Sequence, residues 1–254
     1  MTSRIDRGTV RKVAGVLVAL AAWQSFAMSS GSRLIPQIQD IAIMFVELAG
    51  NGELADHTLT SLSQGLLGLF IAFSIASAAG YAAARNWAVD AAIHPLISLA
   101  YPVPKLALYP LVILLLGLGW ESRTAQVALE CFFPLFVHAH AGAKAVAPRM
   151  EWLARNVDAS PWQAARDVIV PSAMPYMLTG LRIAIPIMLI VTTVTEFIGD
   201  SQGLGYLIAR SASYFDTASA FAVIVVLGTL GLLGDRLVVL ARDRLVFWEK
   251  GASL

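Results

Sequence analysis

Two ionisable side chains lie inside otherwise apolar stretches of the sequence, where a charge can carry a function. Glu130 falls within residues 124–146 and Arg182 within residues 172–197. A charge is costly in contact with lipid hydrocarbon, so both side chains should face protein or a water-filled path. An internal ion pair and contact with a transported solute would each satisfy this requirement. For Glu130 we favour packing or pairing inside a helix bundle.

The other reactive residue types form no recognisable catalytic or metal-binding pattern. His138 and His140 are two positions apart and point to different faces of a helix, while His57 and His94 are isolated in the sequence. The single cysteine, Cys131, excludes an internal disulfide and a cysteine-built metal site. We therefore expect no catalytic residues and no metal centre.

The sequence also lacks the phosphate-binding loop G-x-x-x-x-G-K-[ST]. Without that loop the chain cannot hydrolyse ATP by the usual route. If the protein pumps a solute, the energy must come from another polypeptide. We expect a transport subunit without its own ATPase site, not an enzyme.

Composition places the chain among integral membrane proteins. Of its 254 residues, 57% are hydrophobic and 14% are charged, and the mean hydropathy is +0.70. Soluble domains carry about 25% charged residues. We therefore expect membrane lipid around the chain. The net charge of +1 produces no long-range electrostatic field, so we expect no nucleic-acid partner.

Charge-free windows and turn residues predict an all-α protein with about six transmembrane helices. The predicted spans are 13–30, 59–84, 91–119, 124–146, 172–197 and 216–240. We expect the third span to be a kinked helix because Pro102, Pro104 and Pro110 interrupt it. The first apolar run is longer than the core of a signal peptide, which favours a retained span.

Basic residues predict the orientation of these spans. One set of connections carries Arg4, Arg7, Arg11, Lys12, Arg85, Lys144, Arg149, Arg155, Arg166, Arg242, Arg244 and Lys250, and the other carries Arg33, Arg123 and Arg210. Positive charge accumulates on the cytoplasmic side of membranes. Both termini and the segment 147–171 should therefore face the cytosol, as in a multi-pass protein of the bacterial inner membrane.

The second predicted span carries small residues at every fourth position. They are Gly68, Ala72, Ala76, Gly80 and Ala84. Such a ridge lets a second helix approach closely in lipid, where packing replaces the missing hydrophobic driving force. We expect this face to serve helix packing inside a bundle.

Residues 34–56, between the first two spans, predict an amphipathic helix. Ile38, Ile41, Phe45 and Leu48 share one helical face. The helix could lie on the outer membrane surface or cover the outer mouth of the bundle. The sequence leaves both arrangements open.

The polar stretch RNVDASPWQAARDVIVPSAMPYMLTGLR, residues 155–182, contains two turn signals and a helix cap. Asp158 can adopt the left-handed conformation that ends a helix. Ser160 is a candidate N-cap, Pro161 suits the first helical position, and Gln163 completes a capping box. These residues predict two short helices joined by a tight turn.

Pro171 and two tryptophans complete the prediction for this stretch. Pro171 should stop the second short helix at Val170. Trp152 and Trp162 could anchor the segment at the lipid headgroups or fill a groove on a partner protein. Both roles remain open for the tryptophans.

The same stretch resembles the cytoplasmic loop motif of ABC importer permeases. That motif is roughly E-A-A, three residues and G, followed by I-x-x-P-x-x-x-P and G-x-R-x-A. The matching residues are Pro171, Pro175, Gly180, Arg182 and Ala184. Asp158 occupies the glycine position, Trp152 occupies the glutamate position, and Ala154 retains the second alanine.

Three further stretches are similar to the nitrate, sulfonate and taurine branch of these permeases. They are SLSQGLLGLFIAFSIASAAG (61–80), PVPKLALYPLVILLLGLG (102–119) and EFIGDSQGLGYLI (196–208). The family more often has arginine at the position of Gln64. The resemblance implies a type I ABC importer permease-like bundle. Its core is 58–248, preceded by an N-terminal region 1–57 and followed by a tail 249–254.

The resemblance also implies partners. Two permease copies would pair as a homodimer, and each would dock a separate ATPase subunit that binds ATP and Mg²⁺, while this chain binds no cofactor. The residues implied in coupling, in or next to the loop at about 147–171, are Trp152, Ala154, Asp158, Ala159, Ser160, Pro161, Trp162, Pro171 and Gly180. Arg182 fits a position near the cytoplasmic entrance.

An extracytoplasmic binding protein would deliver a small, anionic nutrient of the nitrate, sulfonate or taurine type. Glu196 and Asp200, at the outer end of the fifth span, are candidate contacts for it, although helix capping or a solvated surface explains them equally well. Two other functions stay open: an ion-driven secondary transporter that uses Glu130, and a membrane scaffold. The single proline-rich span has no internal repeat, which favours the importer over a secondary carrier.

Overall fold

The structure, a computed structural model, describes residues 7–249 except 33, 147, 157 and 200. This part of the chain is helical and contains no β-strand, which confirms the predicted all-α fold. The α-helices are α1 (Arg7–Ser30), α2 (Ile38–Gly50), α3 (Glu53–Arg85), α4 (Trp87–Ala100), α5 (Tyr109–Leu116), α6 (Trp120–Lys144), α7 (Pro148–Asn156), α8 (Pro161–Ala164), α9 (Val170–Phe197), α10 (Leu204–Ser213) and α11 (Thr217–Leu245). Short 3₁₀ turns at Lys105–Leu108 and Phe247–Glu249 and a π-helical turn at Ala165–Ile169 complete the described chain.

Among the described residues, four helical stretches are long and apolar enough to cross a membrane. They are Val13–Ser30, Glu53–Arg85, Trp162–Phe197 and Thr217–Leu245. α6, with 25 residues, occupies the predicted fourth span but is less apolar than these four. It packs along both α3 and α9, so protein surrounds much of its surface and fewer apolar side chains are needed there.

The predicted third span is not one kinked helix. α4 is followed by a break and then by Lys105–Leu116, which is bent by 88° from α4. The prolines in the break cannot continue the ladder of helical hydrogen bonds. The buried Lys105 ammonium instead donates to the carbonyl oxygens of Tyr101 at 3.1 Å and Val103 at 3.2 Å. The break is therefore sharper than the proline pattern predicts.

The core of the bundle consists of α3, α6 and α9. The predicted small-residue ridge faces α6, where Ala72 and Ala76 are buried. A Cβ atom on Gly68 would lie 2.7 Å from the Thr124 carbonyl oxygen, and one on Gly80 would lie 2.8 Å from the Ala139 Cβ. The ridge thus allows the two helices to approach closely, as expected for packing in lipid.

A second apolar cluster joins α2, α3, α10 and α11. Leu48, Leu204 and Val223 are buried in it, and Ile41 packs against it. Phe45, which was predicted to share the apolar face of α2 with these residues, is exposed. One face of α2 therefore packs on protein, with α11 as its main neighbour.

Candidate coupling segment and buried polar sites

The turn between α7 and α8 has the conformation that its sequence predicts. Asp158 has a φ of +51°, in the left-handed region. Aspartate tolerates this region because its short polar side chain can hydrogen-bond locally, whereas glycine adopts it without steric cost. The residue that replaces the family's glycine therefore maintains a turn that a glycine would also make.

The predicted capping box at the start of α8 is also present. The Ser160 backbone N–H donates to the Gln163 Oε1 at 2.8 Å, and the Gln163 N–H donates to the Ser160 Oγ at 3.3 Å. These two bonds satisfy donors that the first turn of a helix otherwise leaves free. The start of α8 is thus defined by contacts within four residues of the chain.

Pro171 does not stop the second short helix, contrary to the sequence prediction. α8 continues through the π-helical turn Ala165–Ile169 into α9, so that Trp162–Phe197 is one helical stretch. The Val170 N–H donates to the Ala165 carbonyl, five residues back. The wider turn accommodates Pro171, which would disrupt a regular α-helical ladder at this point. The polar segment is therefore a direct extension of a membrane helix.

Two of the segment's largest side chains project away from the bundle. Trp152 is 72% exposed and Trp162 is 74% exposed. Ser160 is exposed, Ala159 is half-buried, Ala154 lies in α7 and Pro161 begins α8. The turn therefore presents two aromatic rings on a short, capped scaffold.

Gly180 does not belong to this exposed surface. It is buried within α9, about six helical turns after Asp158, and a Cβ atom there would lie 2.9 Å from the His138 Cβ. The glycine therefore serves close packing between α9 and α6, and its assignment to the coupling surface is wrong. Pro171 likewise lies inside the helical stretch and not in a loop.

Glu130 and Arg182 form two separate ion pairs, not one. The Arg182 guanidinium bonds the Asp235 carboxylate of α11 through both Nε and a terminal nitrogen. Lys105 Nζ lies 3.9 Å from Glu130 Oε2 and over the Phe133 ring, 4.4 Å from its centre. Each of these two charges thus has an opposite charge beside it, as a charge within a membrane-spanning helix requires. Asp235 could have been found from the sequence as the acidic residue inside the predicted last span.

Glu196 is buried and not available at an outer surface. Its two carboxylate oxygens each lie 2.8 Å from the Ser61 Oγ, and the Gly205 N–H donates to Oε2 at 2.9 Å. The Ser61 hydroxyl oxygen also accepts from the Leu204 N–H at 2.8 Å. The expected contact between Glu196 and a binding protein is therefore wrong, because this carboxylate joins α3, α9 and the start of α10. Asp200 lies outside the described residues.

The glycines next to this carboxylate leave no space for a side chain. Gly203 has a φ of +105°, and a Cβ atom there would overlap with the Glu196 carboxylate. A Cβ atom on Gly205 would overlap with the Thr193 carbonyl. The Gly203 N–H also donates to His57 Nδ1 at 2.8 Å. Residues 203–205 are thus held by their backbone amides against α3 and α9.

His94 is not isolated in the structure. The ligand atoms of His94, of Asp90 one turn before it in α4, and of His140 in α6 all lie within 4.8 Å of one another. The sequence analysis missed this cluster because residues 90 and 140 are brought together only by helix packing. These three residues could hold a metal ion.

Comparison with known proteins identifies the family. Residues 64–246 match the family described as the inner membrane component of binding-protein-dependent transport systems. The chain belongs to this family. The match runs from within α3 to the end of α11 and includes the exposed turn, both ion pairs and Glu196, whereas Ser61 lies just before it. The resemblance to ABC importer permeases is confirmed, and the chain is a multi-pass membrane protein of that family.

Two relatives show how broad the family's cargo is. This permease is 29% identical to the putative aliphatic sulfonates transport permease protein SsuC of Bacillus subtilis, over 91% of this chain and 85% of the relative. It is 30% identical to the formylaminopyrimidine transport permease protein ThiX of Halalkalibacterium halodurans, over 92% of this chain and 94% of the relative.

A solved structure supports the fold independently of sequence. A chain from the crystal structure of an amino acid ABC transporter aligns with this permease with a TM-score of 0.63 at 18% sequence identity. The alignment covers 79% of this chain and 98% of the other. At this identity the match shows a shared type I importer permease fold and nothing about cargo.

Proposed function

We propose that the α7–α8 segment couples this permease to a separate ATPase subunit of an ABC importer. The observation that carries the proposal is the continuity of the exposed, capped α8 with the buried α9. A partner protein that binds Trp162 would contact the end of a helical stretch that runs through the bundle. The tryptophans are suited to such a contact because large aromatic anchors dominate binding energy at protein interfaces.

Displacement of α8 would be transmitted to the core by packing. α9 contacts α6 and α3 along its length, and Gly180 brings it within van der Waals distance of His138. Packed helices move as bodies because their interfaces do not deform continuously. ATP and Mg²⁺ on the partner would thus bias two arrangements of the membrane helices through one exposed contact.

The orientation and partners follow from the same proposal. The basic connections support an orientation in which both termini and the α7–α8 segment face the cytosol, where ATP is available. Two copies of the chain would form a homodimer, each with its own ATPase subunit. An extracytoplasmic binding protein would deliver the substrate to the opposite side.

We further propose that the cargo is a small anionic nutrient of the nitrate, sulfonate or taurine type. The sulfonate relative supports this class. The formylaminopyrimidine relative has a similar identity and makes a heterocyclic nutrient the natural competitor in a transport assay. Uptake of labelled taurine that is blocked by sulfonates but not by pyrimidines would support the anionic class, and the reverse order of inhibition would contradict it.

The coupling proposal can be tested in liposomes that contain the permease, its ATPase and its binding protein. Trp162→Ala should lower substrate-stimulated ATP hydrolysis and uptake by at least about tenfold, the effect of losing an interface anchor worth about 1.4 kcal/mol or more. Trp87→Ala is the matched control, because Trp87 is 85% exposed and lies outside the α7–α8 segment. Equal activity in the two variants would contradict the proposal.

A second arm addresses the turn itself. Arginine at both Ala159 and Ser160 should abolish copurification of the ATPase while the permease still elutes as a folded protein. If the ATPase stays bound and active, the docking surface lies elsewhere. Uptake driven by an ion gradient in liposomes that contain the permease alone would instead support a secondary carrier that uses Glu130.

A further inference from the structure

A cluster of metal-ligating side chains lies at the end of the bundle where α4 begins and α6 ends. His140 Nε2 is 3.0 Å from Asp90 Oδ1, and His94 Nδ1 is 4.0 Å from the same oxygen. We propose that Asp90, His94 and His140 bind a divalent transition-metal ion, for which Zn²⁺ is the reference.

The distances are close to those that a metal requires. Zn²⁺ binds imidazole nitrogen and carboxylate oxygen at about 2.0–2.2 Å, so neighbouring tetrahedral ligands are about 3.3 Å apart. The three ligand atoms already lie within 4.8 Å of one another. His94 is the most exposed of the three, so its side chain is the freest to rotate toward the other two ligands.

The donor set selects the class of ion. Two imidazoles and one carboxylate suit Zn²⁺, Ni²⁺ or Co²⁺, whereas Mg²⁺ and Ca²⁺ prefer oxygen ligands alone. The His94 side chain is 63% exposed, and those of Asp90 and His140 are 24% and 12% exposed. An ion can therefore enter from the side of His94 and meet a partly desolvated site, with its fourth position open to water.

Lys144 bonds one oxygen of the Asp90 carboxylate and leaves the other for a metal ion. Its Nζ donates to Oδ2 at 2.8 Å, which leaves Oδ1 facing the two histidines. This bond orients the carboxylate in the way that outer-shell partners orient metal ligands. The lysine charge also opposes a bound cation, so its removal should tighten metal binding.

The site would join α4 to α6, two helices that both have α3 as their main neighbour. Asp90 and His94 lie in α4, whereas His140 and Lys144 belong to the last turns of α6. α7 begins four residues after Lys144. A bound ion would thus fix the end of α6 from which the α7–α8 segment continues, and it would slow motions that need this end to move relative to α4.

The test uses the purified full-length permease in detergent and ZnCl₂ alone. Zn²⁺ should raise the thermal unfolding temperature of the wild type, reversibly with EDTA, and calorimetry should give about one ion per chain. His94→Ala and His140→Ala should each weaken the calorimetric affinity by at least about tenfold. His138→Ala is the control, since this histidine on the same helix bonds the Pro134 carbonyl instead.

Three outcomes decide the proposal. Because His94 is largely exposed, His94→Ala should fold normally, and unchanged Zn²⁺ affinity in this variant would overturn the site. Lys144→Met should bind Zn²⁺ more tightly than the wild type, because loss of the charge repulsion should outweigh loss of the orienting bond; unchanged binding would show that the ion sits elsewhere. Equal stabilisation by MgCl₂ would overturn the assignment to a transition metal.

Discussion

The α7–α8 segment and the Glu196 network are both polar, but they are built in different ways. Around Asp158 and Ser160 the defining contacts join residues at most three positions apart, and the side chains point outward. Glu196 instead bonds Ser61, 135 positions away, and is fully buried. The comparison shows that one region is a surface shaped by local chemistry and the other is a joint that depends on the whole bundle.

The largest effect on stability is expected when the Glu196 network is disrupted. Glu196→Ala leaves the Ser61 hydroxyl and the Gly205 N–H buried without their acceptor, which should lower the free energy of unfolding by about 2–4 kcal/mol. Chemical unfolding in detergent measures this loss. Glu47→Ala removes an exposed carboxylate from α2 and should change stability by less than about 0.5 kcal/mol. Equal losses of unfolding free energy in the two variants would mean that the Glu196 network does not stabilise the bundle.

A second test concerns the close packing between α3 and α6. Gly68→Ala places a methyl group 2.7 Å from the Thr124 carbonyl and should cost about 1–3 kcal/mol of stability through overpacking. Gly15→Ala in α1 meets no atom within 4 Å, so it should be neutral or stabilise by up to about 1 kcal/mol. A stabilising Gly68→Ala would show that α3 and α6 do not approach as described.

A third test concerns the left-handed turn of the exposed segment. Asp158→Gly should leave coupling intact, because glycine adopts a φ of +51° freely. Asp158→Val should disfavour the turn by about 1–2 kcal/mol, because a β-branched residue is strained there. We expect the valine variant to lose ATPase stimulation while its global unfolding midpoint stays close to that of the wild type. Equal ATPase stimulation in the two variants would rule out a role for this turn.

The smallest effect is expected at the helix cap. Ser160→Ala removes the side-chain acceptor for the Gln163 N–H and should weaken the start of α8 by about 1 kcal/mol. Hydrogen exchange of the α8 amides should become about fivefold faster. Ser213→Ala removes a hydroxyl bonded within its own helix and should leave exchange in α8 unchanged. Protection that survives Ser160→Ala would show that packing, not the cap, defines this end.

Prediction from sequence succeeded where the information is local and failed where it is not. The turn at Asp158, the capping box and the small-residue ridge were all predicted, since each depends on neighbours within one or two helical turns. Pro171 was expected to end a helix, but a π-helical turn before it accommodates the ring. The proline-rich third span was expected to be kinked, and the side chain of Lys105 instead stabilises a full break.

In the candidate sites, too, the contacts between residues far apart in the sequence were not predicted. Arg182 was recognised as a charge that needs a partner; Asp235 stands out in the sequence as an acidic residue in a predicted span, but only the packing of α9 on α11 shows that the two pair. Glu196 was expected at the surface because the end of a span is usually solvated, whereas α10 folds back and covers it. His94 was expected to be isolated, and α6 brings His140 next to it.

By itself, the sequence determined that this chain crosses a membrane as helices, that it lacks an ATP-binding loop, and that it carries a capped polar turn. These properties depend on composition and on contacts between residues close in the chain. Only the tertiary structure decided which charges pair, which carboxylate is buried and which histidines meet. The physical reason is that such contacts join residues about 50 to 150 positions apart, so their geometry depends on how several helices pack at once.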